Sequence, residues 1–135
     1  MKIFIPTVNQ IIDLNKYLCI QGRNPHICLD RGRIESALHS AFYPGSYPFA
    51  AGGIVKVAVS LCFYIVKGHP FMDGNKRTGT LVAIIFLNEN SWDLKYPIDK
   101  KNNLNALASV IEDCAVSKVS KENLMLWFEN HKVRV

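Results

Sequence analysis

The sequence predicts an all-α fold in which two buried central helices flank a short polar loop. Two segments, residues 51–67 and roughly 75–89, are apolar on nearly every side. Elsewhere, apolar residues recur at helical spacing behind residues that commonly cap helices. The chain has 135 residues, of which 49% are hydrophobic, so it is long enough to bury a sizeable core. We therefore expect a single domain over residues 1–135.

The first two helices are predicted from their caps. Thr7 begins a capping box, and apolar residues then mark one face of a helix over roughly residues 8–20. Asp30 can cap a short second helix that ends near an aromatic stretch, residues 42–49. Because that stretch is also rich in Pro and Gly, we expect a loop or a short hairpin there.

The later helices follow from similar patterns. Gly68 offers a C-terminal stop for the first central helix. The second central helix, residues 75–89, contains β-branched residues that also allow a strand, but its length and lack of alternation favour a helix. After a turn over residues 91–97, Asp99 is predicted to cap a fifth helix and Ser120 a sixth.

The composition limits the classes of partner. The net charge of +5 allows an anionic ligand, but Lys76-Arg77 and Lys100-Lys101 are the only adjacent basic pairs, so direct binding to nucleic acid is not expected. We expect no membrane partner and a cytoplasmic protein, because neither a membrane span nor an apolar signal core is visible. The four Cys lie far apart with no Cys-x-x-Cys pair, which predicts reduced, mostly buried thiols.

The loop between the central helices carries the residues suited to chemistry. His69 is a candidate general base, because histidine can take and lose a proton near neutrality. Asp73 beside a polyphosphate is a natural Mg²⁺ ligand. Taken singly, His69 could be a surface loop residue, Asp73 a helix cap and Phe71 a core anchor. Their occurrence together within a few residues favours a site.

The start of the second central helix is predicted to bind phosphate. Gly74 lets backbone amides turn toward a ligand, and the first amides of a helix have no intrahelical partner. Arg77 can grip phosphate oxygens in two places, and Lys76 adds a compact positive charge.

These residues resemble the motif of the Fic/Doc family, His-x-Phe-x-Asp/Glu-Gly-Asn-x-Arg. The matching positions are His69, Phe71, Asp73, Gly74, Asn75 and Arg77. The resemblance implies a compact Fic-fold helical bundle and a transferase that uses ATP and Mg²⁺. In that reading His69 is catalytic, Asp73 holds the metal, and Gly74, Asn75, Lys76 and Arg77 bind the nucleotide.

The segment over residues 30–38, the chain length and Lys76 are similar to the death-on-curing (Doc) branch. That branch implies a toxin of a toxin-antitoxin pair, which moves the γ-phosphate of ATP to a threonine of a translation elongation factor. Larger Fic proteins have a second Gly where Lys76 stands, and they mostly move AMP instead. Gly74 follows the Fic pattern where some Doc proteins carry Ala, so AMP transfer stays an alternative. A nonenzymatic binding module is the third reading.

We expect the transferase activity to be inhibited by another protein chain. Many Fic proteins carry an inhibitory Ser/Thr-x-x-x-Glu-Gly/Asn segment, but Glu89, Glu122 and Glu129 each precede an Asn without a Ser or Thr four residues earlier. The Doc resemblance therefore implies an antitoxin protein as partner. Residues 42–49 lie where family members carry a flap that aligns the target, and an ordinary aromatic loop is the equal alternative. His26 and Cys28 lack two further metal ligands, so we assign them no role.

Overall fold

A computed structural model describes residues 4–43 and 49–135, and helices form most of that part of the chain. The helices are α1 Val8–Gly22, α2 Arg31–Phe42, α3 Ile54–Gly68, α4 Asn75–Glu89, α5 Ala106–Ala115 and α6 Lys121–His131. Four short strands are also present in the described ranges: β1 Trp92–Leu94, β2 Ile98–Asp99, β3 Leu104–Asn105 and β4 Lys132–Arg134. The predicted all-α fold is confirmed.

Helices α3 and α4 form the centre of the molecule, as the two apolar segments predicted. Helix α3 is buried along most of its length. It approaches α4 closely at Gly79, where an added Cβ would lie 3.0 Å from the carbonyl oxygen of Cys62 and from Cγ2 of Val66. Because a larger residue would force these helices apart, Gly79 keeps the two ends of the intervening loop together.

The core has two parts, and α3 and α4 contribute to both. One part is closed by α5 and α6, through residues such as Ile111 and Phe128. The other is closed by α1 and α2. It includes Phe71 from the segment between α3 and α4, residues 69–74, which we call the motif loop. The loop is therefore anchored in the core formed with α1 and α2.

Three predicted helix caps are confirmed. Thr7 and Gln10 form both hydrogen bonds of a capping box at the start of α1. The Asp30 carboxylate accepts from the amide of Gly32, and the Ser120 hydroxyl accepts from the amide of Asn123. Each cap depends on groups three residues apart or fewer, so the sequence alone specifies it.

The prediction that Asp99 caps a fifth helix is wrong. Its carboxylate instead accepts from the backbone and side-chain amides of Asn102, which lowers the pKa of Asp99 and closes a turn between β2 and β3. Helix α5 begins several residues later, at Ala106, with Asn105 as its cap. The same short polar side chains favour both turns and caps, so the pattern there was ambiguous.

The predicted turn over residues 91–97 is also partly wrong, because it contains β1. Strand β1 pairs in antiparallel fashion with β4, and Trp92 lies opposite Arg134. The Arg134 guanidinium lies 4.4 Å from the centre of the Trp92 ring, and the Lys132 ammonium lies 5.1 Å from it. Cation–π contacts thus add to the hydrogen bonds that join β4 to β1.

Two further predictions concern the cysteines and the aromatic segment. The cysteines are free and mostly buried, as predicted, and burial raises the pKa of the Cys62 thiol and of the Cys114 thiol. Residues 44–48 of the predicted flap or loop lie outside the described residues. The rings at its two ends, Phe42 and Phe49, pack edge to face with centres 5.6 Å apart.

None of the helices described is long and apolar enough to cross a bilayer.

Candidate active site

The loop between α3 and α4 is held from inside by Asn75. The Asn75 side chain accepts from the Phe71 amide at 3.1 Å and donates to the Phe71 carbonyl at 2.9 Å. Asn75 is 5% exposed, and the Phe71 ring is fully buried. Asn75 therefore fixes the loop backbone, while its predicted contact with a nucleotide stays a prediction.

The connection between α1 and α2 supports the same loop from its other edge. Cys28 and Phe71 form an isolated antiparallel bridge, and the Met72 amide donates to the carbonyl of Ile27 at 2.9 Å. The amides of Leu29 and Asp30 both donate to the carbonyl of Pro70. These backbone hydrogen bonds hold the loop against the α1–α2 connection much as two neighbouring strands are held together, although most of the loop lies outside regular secondary structure.

Arg33 links α2 to the end of α3. Its guanidinium donates to the carbonyl of Gly68 at 2.5 Å and lies 3.2 Å from the Asp30 carboxylate. Gly68 immediately precedes His69, so Arg33 restrains the backbone that carries the candidate base. The sequence alone indicates for Arg33 only that it lies in the segment, residues 30–38, that is similar to the Doc branch.

His69 is exposed and has the geometry of a general base. It is the C-cap residue that follows α3, and its left-handed conformation, with φ 49°, is uncommon for a residue other than glycine. Its Nδ1 lies 3.2 Å from the carbonyl oxygen of Val66. A carbonyl can only accept, so Nδ1 of the neutral ring carries the hydrogen. Nε2 is then the nitrogen that can take a proton from a substrate.

The start of α4 presents backbone amides that are not capped by any side chain in the described ranges. Gly74 is the N-cap residue, with φ +77°, and makes no side-chain capping bond. The Thr78 amide makes the first bond of the helix, to the Gly74 carbonyl at 2.8 Å. The amides of residues 75–77 therefore have no intrahelical acceptor, and together with the positive end of the helix dipole they make a candidate anion site.

Asp73 does not cap α4, which excludes the alternative reading of this residue as a helix cap. Its Oδ1 accepts from the amide of the adjacent Gly74 at 2.7 Å, and its backbone carbonyl accepts from Asn15 of α1 at 2.9 Å. Within residues 4–43 and 49–135, Oδ2 has no hydrogen-bond partner. That oxygen fits a Mg²⁺ ion that takes its remaining ligands from phosphate and water.

The structure brings all six predicted site residues together. They line one open cleft of about 390 Å³: His69, Asp73, Gly74, Asn75, Lys76 and Arg77. Its wall is completed by Met72, Glu112, Ala115 and Val116. Base, carboxylate and helix N-terminus therefore face the same space, which the spacing of the motif could not establish.

The two cations of the cleft differ in their partners. The Lys76 ammonium pairs with the Glu112 carboxylate of α5 at 2.5 Å. The Arg77 guanidinium lies against Gly22, where an added Cβ would be 3.0 Å from Nη1. In the described part of the chain no acidic side chain pairs with Arg77. Arg77 is therefore the cation of the pair whose charge is available to an anion.

A second, mostly apolar cleft of about 450 Å³ adjoins the first. Lys76, Arg77 and Glu112 line both clefts, and the second extends along α4 and α5 past Ile84 and Tyr96. An anionic group at the start of α4 therefore has an apolar space beside it.

Sequence reasoning missed Asn15 and Glu112, which contact the motif from other elements, and His26, which contacts Asn15. Asn15 contacts Asp73, His26 contacts Asn15, and Glu112 pairs with Lys76. A signal for Asn15 existed, because it lies four residues after Ile11 on the buried face of α1. A polar residue at a core position indicates a specific partner. Nothing local marks His26 or Glu112.

Comparison with protein families identifies one match. The model of the Fic/DOC family matches residues 6–87, which contain α1 to α3, the motif loop and most of α4. Comparison with curated proteins finds no match.

Proposed function

Because the chain belongs to the Fic/DOC family, a family of protein-modifying transferases, we propose that it transfers the γ-phosphate of ATP to a serine or threonine hydroxyl. In this proposal it is a Doc-like toxin of a toxin-antitoxin pair. One observation carries the proposal. The cleft combines a base, His69 with its Nε2 available, and the start of a helix beside Arg77, which pairs with no acidic side chain among the described residues.

The chemistry follows from the positions of these groups. Nε2 of His69 takes the proton of the target hydroxyl as its oxygen attacks the γ-phosphorus. The bond between that phosphorus and the bridging oxygen breaks, and ADP leaves. Arg77 and the amides of residues 75–77 stabilise the charge on the phosphates. Most of the rate enhancement then comes from positioning and electrostatics.

Asp73 is the residue that would hold Mg²⁺. The ion, when bound, neutralises charge on the transferred and leaving phosphates. The adjoining apolar cleft is suited to the nucleoside part of ATP, because it opens from the same two basic residues, Lys76 and Arg77. Its volume falls within the range of small-molecule sites.

AMP transfer is the second candidate, and the Lys76–Glu112 pair favours it. A free lysine at residue 76 would crowd the phosphates with its long side chain and draw the terminal ones toward its charge. The ion pair engages that charge with α5 instead. Residue 76 then obstructs the helix amides less, which is closer to the situation in family members with a second Gly.

Labelled ATP distinguishes these activities. The protein is incubated with Mg²⁺, cell extract and ATP labelled at either the α- or the γ-phosphate. We expect protein labelling from the γ-label only. Labelling from the α-label only would establish AMP transfer, and no labelling from either would leave a nonenzymatic binding module. The variant His69→Asn is the control for labelling by kinases of the extract.

The Glu112→Gln variant is expected to bind ATP·Mg²⁺ more tightly. The change removes the carboxylate that pairs with Lys76, so the ammonium becomes available to phosphate. Both side chains are half exposed, at 50% and 55%, so the pair contributes only about 0.2–1 kcal/mol. We expect a gain in affinity of up to about fivefold, measured by calorimetry at low salt. Glu122→Gln on α6 is the matched control, and equal affinity of the two variants would contradict the expectation.

The Doc-like proposal includes two protein partners. The target is a translation elongation factor, so that phosphorylation inhibits protein synthesis in the cytoplasm. The second partner is an antitoxin that restrains the activity. The labelled target band from the γ-label experiment can be identified by mass spectrometry, and a band that is not an elongation factor would contradict this target.

A further inference from the structure

A buried polar network joins α1 to the motif loop. Asn15 is fully buried, and its Nδ2 donates to the Asp73 carbonyl at 2.9 Å and to the Thr78 hydroxyl at 3.1 Å. Its Oδ1 lies 2.8 Å from Nδ1 of His26. The thiol of Cys19 also donates to this oxygen, at 3.5 Å. The Asn15 side chain thus connects α1, His26 and the start of α4 to the backbone of the motif loop.

The hydrogen-bond directions in this network are determined by the Asp73 carbonyl. A carbonyl only accepts, so the nitrogen of the Asn15 side chain must face it. Oδ1 of Asn15 must then accept from His26, whose Nδ1 carries a hydrogen. The order of donation is therefore from His26 to Asn15 and from Asn15 to Asp73, with each bond polarising the next.

The network controls the peptide between Asp73 and Gly74. In a trans peptide the carbonyl and the following N–H point in opposite directions. Because Asn15 holds the Asp73 carbonyl, the Gly74 amide points away from α1, and it donates to the Asp73 carboxylate. The loop also packs directly on the network, since a Cβ on Gly74 would lie 3.0 Å from Nδ2 of Asn15.

The buried polar residues are concentrated at this loop. Within the described residues the set is Asn15, Ser60, Asn75 and Thr78, and all but Ser60 bond to the motif loop or to one another there. Burying an amide costs free energy that an apolar residue would not cost. Apolar residues would suffice to join two helices. Buried polar residues at this loop are better explained by a need to hold its backbone in a specific position.

We propose that Asn15 and His26 are positioning residues for the anion site. They fix the orientation of the Asp73–Gly74 peptide, and with it the Asp73 carboxylate and the amides that begin α4. What the site binds rests on the proposed function, but the positioning role does not.

Four variants test this role. Asn15→Asp places an oxygen against the Asp73 carbonyl, where Asn15 supplied a donor. His26→Leu removes the donor to Asn15, whereas His26→Asn keeps an amide donor near the place of Nδ1. Asn9→Asp is the matched control, because it adds the same charge to α1 at an exposed position beside Arg31.

Two measurements are made on each variant below its unfolding temperature. Amide signals of residues 74–77 in ¹⁵N spectra report the loop conformation, and calorimetry reports affinity for ATP·Mg²⁺. We expect Asn15→Asp and His26→Leu to shift these signals and to weaken binding at least tenfold. His26→Asn should restore binding to within about threefold of the unmodified protein, and Asn9→Asp should change neither measurement.

The proposal is overturned if a folded Asn15→Asp or His26→Leu variant keeps the unmodified amide signals and affinity. It is equally overturned if His26→Asn is as impaired as His26→Leu. If Asn15→Asp does not fold, the His26 pair decides. If the unmodified protein binds no ATP, the proposed function fails, and the amide signals of residues 74–77 still decide the positioning role.

Discussion

His69→Asn is expected to reduce group transfer by a factor of about 10²–10⁴, the usual contribution of a general base. The Nδ1 of His69 is engaged with the Val66 carbonyl, so Nε2 alone can take the hydroxyl proton. Asparagine has no basic nitrogen to replace it. We prefer asparagine to alanine because His69 has φ 49°, a conformation that asparagine adopts more readily than most residues. The fold should therefore be retained.

The initial rate of labelled phosphate transfer to the target measures this effect. ATP·Mg²⁺ affinity should stay within about twofold, because the anion site is formed by α4 and by Arg77. His39→Asn on α2 is the control, since His39 is also exposed and stacks on Tyr43 with ring centres 4.4 Å apart. A His69→Asn variant that keeps more than a tenth of the rate would show that His69 is not the base.

The fold was predictable where neighbouring residues decide the structure. The caps at Thr7, Asp30 and Ser120 depend on residues at most three positions away. The two central helices were predictable because their segments are apolar on nearly every side and end beside Gly68 and Asn90.

Prediction failed where the structure depends on distant or competing interactions. Asp99 was expected to cap a helix, but it bonds to Asn102 in a turn that uses the same chemistry. Strand β1 exists because it pairs with β4, about forty residues later in the chain. A three-residue strand has no periodicity from which to infer that pairing.

The candidate site was also predictable only in part. The motif predicted which residues line the cleft, but not which partner each side chain contacts. Asn75 bonds to the Phe71 backbone, and Lys76 pairs with Glu112 of α5. The contact of Lys76 is a tertiary one, and that of Asn75, although it spans four residues, depends on how the loop backbone folds. The motif therefore indicates where the chemistry is, and Asn15, His26 and Glu112 show how other elements hold it.

Gly74→Ala is expected to destabilise the protein and to weaken nucleotide binding. Gly74 has φ +77°, and this left-handed conformation costs a residue with a side chain about 1–2 kcal/mol. The added Cβ would also lie 3.0 Å from Nδ2 of Asn15 and 3.3 Å from Sγ of Cys19. These atoms belong to the network that holds the Asp73 carbonyl, so the loop must move away from it. We expect a loss of about 2–3 kcal/mol in the free energy of unfolding.

Gly53→Ala separates backbone strain from the effect on the site. Gly53 is the N-cap residue of α3, with φ +126°, and none of the surrounding heavy atoms described lies within 4 Å of the position that its Cβ would take. Both variants should lose stability in urea unfolding, but only Gly74→Ala should weaken ATP·Mg²⁺ binding, by at least tenfold. Equal affinity in the two variants would mean that the site tolerates movement of the Gly74 backbone. Weakened binding in both would mean that general destabilisation, rather than the position of the loop, controls affinity.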